Sequence, residues 1–343
     1  MKTCTILLLL ILTNIFVLSG CTKSEKIIEE KKETAIEKID SAEETNTTEI
    51  VISLDESHTN FLEMGKILAD DIINPNLESV KGSTHSSTSS LTSIYDLVNG
   101  HADLALVRND LAYYASHGLY LFEGDVPITG FHGVATLYSE VIQIIARPES
   151  GIQTVEDLSG KRVAVGDKDT IVEVNAKQIL NKHGITYEDF EEKYMDRTEI
   201  AQKLQSGTID AAFITAGLGM DEDKLLKELS DDINFISITD EKIQELQAEY
   251  PYYVTYTIPK DLYETTSDVT TLAAKALLIV NSSVDDDFVF EMTRALFENH
   301  EHFDNDRLKL HVTLDEVLEG MPIDVHPGAE RYYIEQQLIK EED

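Results

Sequence analysis

Leu97-Val98-Asn99-Gly100-His101-Ala102-Asp103-Leu104-Ala105-Leu106 and Leu204-Gln205-Ser206-Gly207-Thr208-Ile209-Asp210-Ala211-Ala212-Phe213 are two copies of one phrase. In each, an amphipathic helix runs out, a glycine stops it, and an aspartate opens a short apolar strand. The first strand runs into Arg108-Asn109-Asp110, the second into Thr215-Ala216-Gly217. Two equivalent half-units, each bringing a strand end to a surface, predict two lobes facing one another across a cleft. Ligands in open α/β sheets sit outside the carboxyl ends of the strands.

Outward from the two phrases, strand and helix patterns alternate, which argues an α/β chain. Ile50-Val51-Ile52 reads as a buried strand, and Asn60 to Ile73 carries apolar residues at helical spacing. Val80 to Ser83 reads as a short strand, followed by a hydroxyl-rich loop over 83–90 and a helix from about Leu91 to the Gly100 stop. Val134 to Arg147 reads as strands, and Leu158 to Gly166 as a turn and a buried strand. Thr170 is placed to cap a helix, with Glu173 three residues on as a capping box requires. Val254 to Ile258 reads as a strand returning to the first lobe. Asp287 to His300 reads as an amphipathic helix.

The chain has 343 residues, enough for two ordinary domains, with 28 Lys and Arg against 64 Asp and Glu. A formal net charge of −36 repels phosphate backbones, so a nucleic-acid partner is not expected. At the N-terminus, Lys2 precedes an apolar run from Ile6 to Leu18, too short for a comfortable span and suited to a signal-peptide core. The run ends in Leu18-Ser19-Gly20-Cys21, which resembles the lipobox of bacterial lipoproteins. The expectation is a signal peptide over 1–20, a lipidated Cys21, and a charged tether to residue 49. Acyl chains at Cys21 would hold the protein to the outer face of a membrane. Cys4 and Cys21 are the two cysteines, and Cys4 leaves with the leader, so neither a disulfide nor a thiolate site is expected in the mature domain.

Several longer phrases resemble the solute receptors of TRAP transporters of the TAXI type, over roughly residues 50–340. They are His326-Pro327-Gly328-Ala329-Glu330-Arg331-Tyr332-Tyr333, Tyr250-Pro251-Tyr252-Tyr253-Val254, Leu158-Ser159-Gly160-Lys161-Arg162-Val163-Ala164-Val165-Gly166, and Thr293-Arg294-Ala295-Leu296-Phe297-Glu298-Asn299. The resemblance implies a type II periplasmic-binding-protein fold, each lobe a central sheet flanked by helices. Lobe 1 is expected over 50–139 with 254–343, and lobe 2 over 140–253. It also implies capture of glutamate, a related amino acid, or an oxo or dicarboxylic acid, handed to a membrane permease. The cleft loops depart from the family pattern. Ser53 to Asn60 holds no glycine where a glycine-rich loop is usual, and Asp55 and Glu56 there would repel an anion. Thr84-His85-Ser86-Ser87 replaces Thr-Gly-Gly-Ser, Asp169 to Glu173 replaces a Gly-Ser-Gly-Thr-Glu loop, and Arg108-Asn109-Asp110 stands where Gln-Ser-Asp is common.

The candidate ligand contacts are therefore Ser57, Asn60, Thr84, Ser86, Ser87, Arg108, Asn109, Asp110, Tyr138, Thr170, Thr215 and Gly217. The Arg108 guanidinium can fork onto a carboxylate, or pair with Asp110. The hydroxyls of Thr84, Ser86 and Ser87 are expected at a helix start, where free amides favour anions, and Thr170 repeats the arrangement in lobe 2. Small residues at Thr215 and Gly217 permit close approach. Asn109 and Asp110 can read an amino group, or Asp110 can cap the helix that follows. Tyr138 can touch the solute or pack at the hinge. His58, His85 and His132 form no metal-binding spacing, and Asp285-Asp286-Asp287 lacks the rest of a calcium loop. With no Gly-x-Ser-x-Gly elbow and no Gly-x-x-x-x-Gly-Lys loop, neither an enzyme nor a bound cofactor is expected. The rival readings are a sensor subunit on the same fold, or a structural lipoprotein whose cleft is filled by its own side chains.

Overall fold

Each copy of the repeated phrase closes a βαβαβ unit. In a computed structural model that describes residues 47–124, 126–218, 233–304 and 312–340, the first unit is β1 (Thr48–Asp55), α1 (Thr59–Ile67), β2 (Val80–Ser87), α2 (Ser90–Val98) and β3 (Leu104–Arg108). The strands are parallel, with β1 between β2 and β3. A further helix, α3 (Asn109–His117), and the long strand β4 (Phe131–Ala146) follow. The second unit is β5 (Arg162–Ala164), α4 (Ile171–Lys182), β6 (Glu191–Lys193), α5 (Arg197–Gln205) and β7 (Ala211–Gly217). It repeats the pattern, with β5 between β6 and β7, again parallel.

The aspartate of each phrase clamps the middle strand of its unit. The Asp103 amide donates to Val51 O at 2.8 Å, and its Oδ2 accepts the Val51 amide at 2.8 Å. Asp210 treats Arg162 the same way, at 2.8 and 3.0 Å. The glycines three residues before them, Gly100 and Gly207, lie at φ +73° and +69°. That left-handed turn is cheap without a Cβ and ends the helix so that the chain can reach the strand.

Three further strands complete the sheet: β8 (Asn234–Ile236), β9 (Val254–Ile258) and β10 (Val269–Asn281). β4 and β10 run antiparallel over most of their length and are shared by both units. Residues 276–280 of β10 pair with β3, and residues 140–146 of β4 pair with β7. One edge of β10 thus passes from β9, at 269–273, to β3. A register shift between Lys275 and Leu277 marks the crossing. These strands are apolar on both faces because helices cover both faces. Helix α6 (Asp240–Glu249) lies in the second half, and α7 (Asp286–Glu298) packs on α8 (Pro327–Glu335) in the first.

Three details depart from the sequence reading. The hydroxyl-rich stretch is mostly strand, because all eight residues of β2 pair in register with β1. As an edge strand it carries polar residues toward solvent, which hides it from an apolar-run criterion. The helix expected over 60–73 runs as α-helix to Ile67 and as a π-helical segment over Leu68–Ile73. The strand pattern starts two residues earlier than Ile50, at Thr48. The expected leader, Cys21 and the tether up to residue 46 lie outside the described residues. Among the described residues, no helix is long and apolar enough to cross a membrane.

Candidate functional site

The topology aims the two units at each other. β3 is antiparallel to β10, β10 to β4, and β4 to β7, so β3 and β7 run in opposite directions. Their carboxyl ends converge on the crossing. Arg108 stands opposite Ala276, and Glu140 stands between Ala274 and Gly217. A cleft of about 650 Å³ opens there, within the size range of small-molecule sites. A second hollow of about 560 Å³, beside Tyr113, Tyr120 and Tyr250, lies away from these strand ends.

Arg108, only 6% exposed, lines the cleft, but its fork is occupied. Its Nε donates to Asp110 Oδ1 at 3.1 Å, and its Nη2 to Asp110 Oδ2 at 2.6 Å and Asn175 Oδ1 at 2.8 Å. Burial works against the charged guanidinium, but the carboxylates of Asp110 and Glu140 outweigh it and raise its pKa. The network continues behind the cleft. Asn175 donates to the Tyr253 hydroxyl, which donates to Gln178, and Gln178 joins Tyr114 and Tyr252. Burial pushes the Tyr252 and Tyr253 hydroxyls far above their ordinary range, so they act as neutral hydrogen-bonding groups.

Glu140 is the second buried charge of the floor. Its Oε1 accepts from His58 Nε2 at 2.7 Å and from the Tyr138 hydroxyl at 3.0 Å. Its Oε2 lies 3.7 Å from Arg108 Nη1. Burial alone would raise this carboxyl. The charges of His58 and Arg108 and the two hydrogen bonds prevail and hold it down to about 2.

Four of the helix starts around the cleft, those of α2, α3, α4 and α5, meet the protein's own side chains. Asp55 Oδ2 accepts the Ser90 amide at 2.8 Å, at the first residue of α2, and the Ser90 hydroxyl at 2.9 Å. Its Oδ1 accepts the Ser57 amide and hydroxyl. Asp110 Oδ1 accepts the Leu111 amide in α3. Thr170 accepts the Glu173 amide in α4, and Asp196 accepts those of Thr198 and Glu199 in α5. Orphan amides that would favour an anion are thus answered at α2, α3, α4 and α5, whereas the start of α1, where His58 lines the cleft, has no side-chain cap. The Glu173 carboxylate reaches the Asp169 amide, one residue before the expected cap partner.

Of the residues proposed from sequence, Ser57, Arg108, Thr170 and Thr215 line the cleft. The Thr215 hydroxyl oxygen is buried there with no hydrogen-bond partner. Thr84 and Ser86 are exposed on β2, and Ser87 is buried, bonded to Leu54 O and Ser93. None of the three stands at a helix start, because β2 outlasts the predicted strand. Asn60 is buried in the first turn of α1. Asn109 is a buried tie: its Nδ2 donates to Tyr252 O and Gly320 O, and its Oδ1 accepts the Lys275 amide. Asp110 is spent on Arg108 and α3, Tyr138 packs on Phe61 and serves Glu140, and Gly217 ends β7 opposite Glu140. Sequence reasoning missed Glu140, Asp167, Asp196 and Arg197, which also line the cleft. A lone acid inside the apolar run of β4 was the available signal for Glu140.

Comparison with known proteins gives a family match and several distant structural likenesses. The family described as the NMT1-like family matches residues 59–336. Among solved structures, the periplasmic aliphatic sulphonate binding protein SsuA from Escherichia coli is 15% identical. That match covers 68% of this chain and 65% of that one, at a TM-score of 0.43. PhnD1 from Prochlorococcus marinus, solved with methylphosphonate, is 8% identical over 85% of this chain and 99% of that one, at 0.49. The second substrate binding domain of a putative amino acid ABC transporter from Streptococcus pneumoniae is 16% identical over 74% and 96%, at 0.40.

Proposed function

The chain belongs to the NMT1-like family, and on that premise we propose that it is an extracytoplasmic solute-binding protein that serves a membrane transporter. The observation that carries this reading is the convergence of two matched βαβαβ units, carboxyl ends inward, on one polar cleft of about 650 Å³. Such a cleft binds between two lobes, and closure is driven by contacts made to both at once. The lobes divide where β4 and β10 cross. The pairing of β9 with residues 269–273 of β10 favours counting β9 with the second lobe on this proposal, rather than with lobe 1 as the sequence boundary of 254–343 has it.

The finer parts of the proposal rest on sequence. The phrases around His326 to Tyr333 and Tyr250 to Val254 support a receptor of the TAXI type that delivers a small organic solute to TRAP permease subunits. Leu18-Ser19-Gly20-Cys21 supports export and a lipid anchor at Cys21. A carboxylate on the solute would be met by Arg197 and not by Arg108, whose fork Asp110 holds. The cleft is open rather than filled by its own side chains, so the degenerate-lipoprotein reading has no support from the geometry.

Calorimetry of the full chain against amino acids, amines and organic acids, paired with small-angle scattering, tests the reading. A bound solute should reduce the radius of gyration. Absence of heat with every solute, together with unchanged scattering, would sink it.

A further inference from the structure

We propose that the cleft selects an organic cation: a small solute bearing a protonated amine or guanidinium, with at most one carboxylate. The inference rests on the solute-receptor reading and names the charge class that the site accepts.

The buried floor is unbalanced. Asp55, Asp110 and Glu140 are each at most 7% exposed, and the buried guanidinium facing them is Arg108. Even a charged His58 leaves one carboxylate uncompensated. Lys275, the other buried cation of the crossing, turns to Glu316 and Glu319 instead. The rim repeats the imbalance, with Asp167, Asp169 and Asp196 against Arg197. A second anion placed on this floor would lose its hydration and meet like charge, whereas a cation would supply the missing partner.

Most of the usual anchors for an anion are taken, the start of α1 and Arg197 at the rim being the exceptions. Arg108 gives its fork to Asp110. Asp55 holds the amide at the start of α2, in the place a ligand carboxylate would occupy. Thr170 and Asp196 cap α4 and α5. In contrast, acceptors are left over. The charged neighbour of Glu140 Oε2, Arg108 Nη1, stands at 3.7 Å, beyond hydrogen-bonding distance, while Oε1 takes both His58 and Tyr138. The buried Thr215 hydroxyl lines the same cleft without a partner. An ammonium, with three donors and no acceptor, fits this inventory. Arg197, for which no ion pair is found among the described residues, can hold a single carboxylate at the rim.

The test titrates the full chain with lysine, arginine and putrescine, and separately with glutamate, 2-oxoglutarate and methylphosphonate, at fixed salt. At least one of the cations should bind about 100-fold tighter than any of the anions. Glu140→Gln and Asp169→Asn should each weaken that cation by about tenfold. Asp169 is exposed, so its variant keeps the test decisive if Glu140→Gln does not fold. Anions binding as tightly as the cations, or cation affinity unchanged in the folded variants, overturns the inference and leaves the receptor reading standing. Silence from every solute, with no contraction in scattering, overturns the receptor reading and this inference with it.

Discussion

At the scale of single residues, the cleft is governed by which polar groups are already spent. The sequence puts Arg108 at the end of β3 and Asp110 two residues on, so their pairing was readable as one of two outcomes. That Asn175, 67 residues away, joins the pair was not, because contacts between half-units leave no local pattern. Glu140 gives the sharpest residue-level prediction. Its carboxyl titrates near 2 when folded, against 4.5 for the free group. A depressed carboxyl stabilises the fold above the unfolded value, and loses that contribution as pH falls through the folded one. The stability difference between the wild type and Glu140→Gln should therefore be full above pH 4.5 and shrink by about 3 kcal/mol toward pH 2. Denaturant titrations across that window measure it, and a pH-independent difference refutes the assignment. Gln143 offers the opposite case. It is buried, and neither atom of its amide has a partner. Gln143→Leu should raise stability by about 1–2 kcal/mol, seen as a higher denaturation midpoint at unchanged slope.

At the scale of elements, the repeated phrase was legible because the chemistry that ends a helix and opens a parallel strand is local. A left-handed glycine, two residues and an aspartate suffice, and both Asp103 and Asp210 use them to clamp the middle strand. The course of β2 was not legible, since an edge strand of serine and threonine is held by backbone pairing with β1 and not by burial of its side chains. The two clamps differ in one respect. Asp103 answers the Val51 amide, whereas Asp210 also takes the guanidinium groups of Arg162 and Arg147. Those hydrogen bonds hold the Asp210 carboxyl well below the usual range, against some desolvation. Asp103→Ala should cost about 1–2 kcal/mol, by loss of one side-chain bond to a backbone amide, and Asp210→Ala should cost more. The clamps sit in different units and share no partner, so the double variant should be additive within about 0.5 kcal/mol. A large coupling term in the cycle would mean that the two units do not form independently.

At the scale of the whole molecule, two things set the behaviour of the cleft: the continuous β4–β10 pair and the polar network behind it. Asn175 sits in α4 of the second unit. It accepts from Arg108 at 2.8 Å and donates to Asp110 at 3.2 Å, both in the first, and donates to Tyr253 at 2.9 Å. On the proposed division it is one of the side chains, with Asn109 and Gln178, that tie one lobe to the other at the back of the site. Any opening must either pivot about these ties or pull them apart. Removing Asn175 leaves Arg108 with Asp110 but deprives a buried Arg, Asp and Tyr of one partner each, a cost of about 3 kcal/mol. Closure would then depend more on contacts made through the solute, because one of the intrinsic ties between the lobes is gone while those of Asn109 and Gln178 remain. Asn175→Ala should accordingly lower the thermal midpoint and enlarge the ligand-free radius of gyration, and a bound solute should restore most of the contraction. Asn175→Asp is the control that separates these effects. It keeps the acceptor for Arg108 but sets a third carboxylate beside Asp110 and Glu140, so it should destabilise at least as much as alanine. If Asn175→Ala lowers the midpoint and leaves the scattering unchanged with and without solute, the network is a core element within one rigid body, and the lobes must move about the β4–β10 crossing alone.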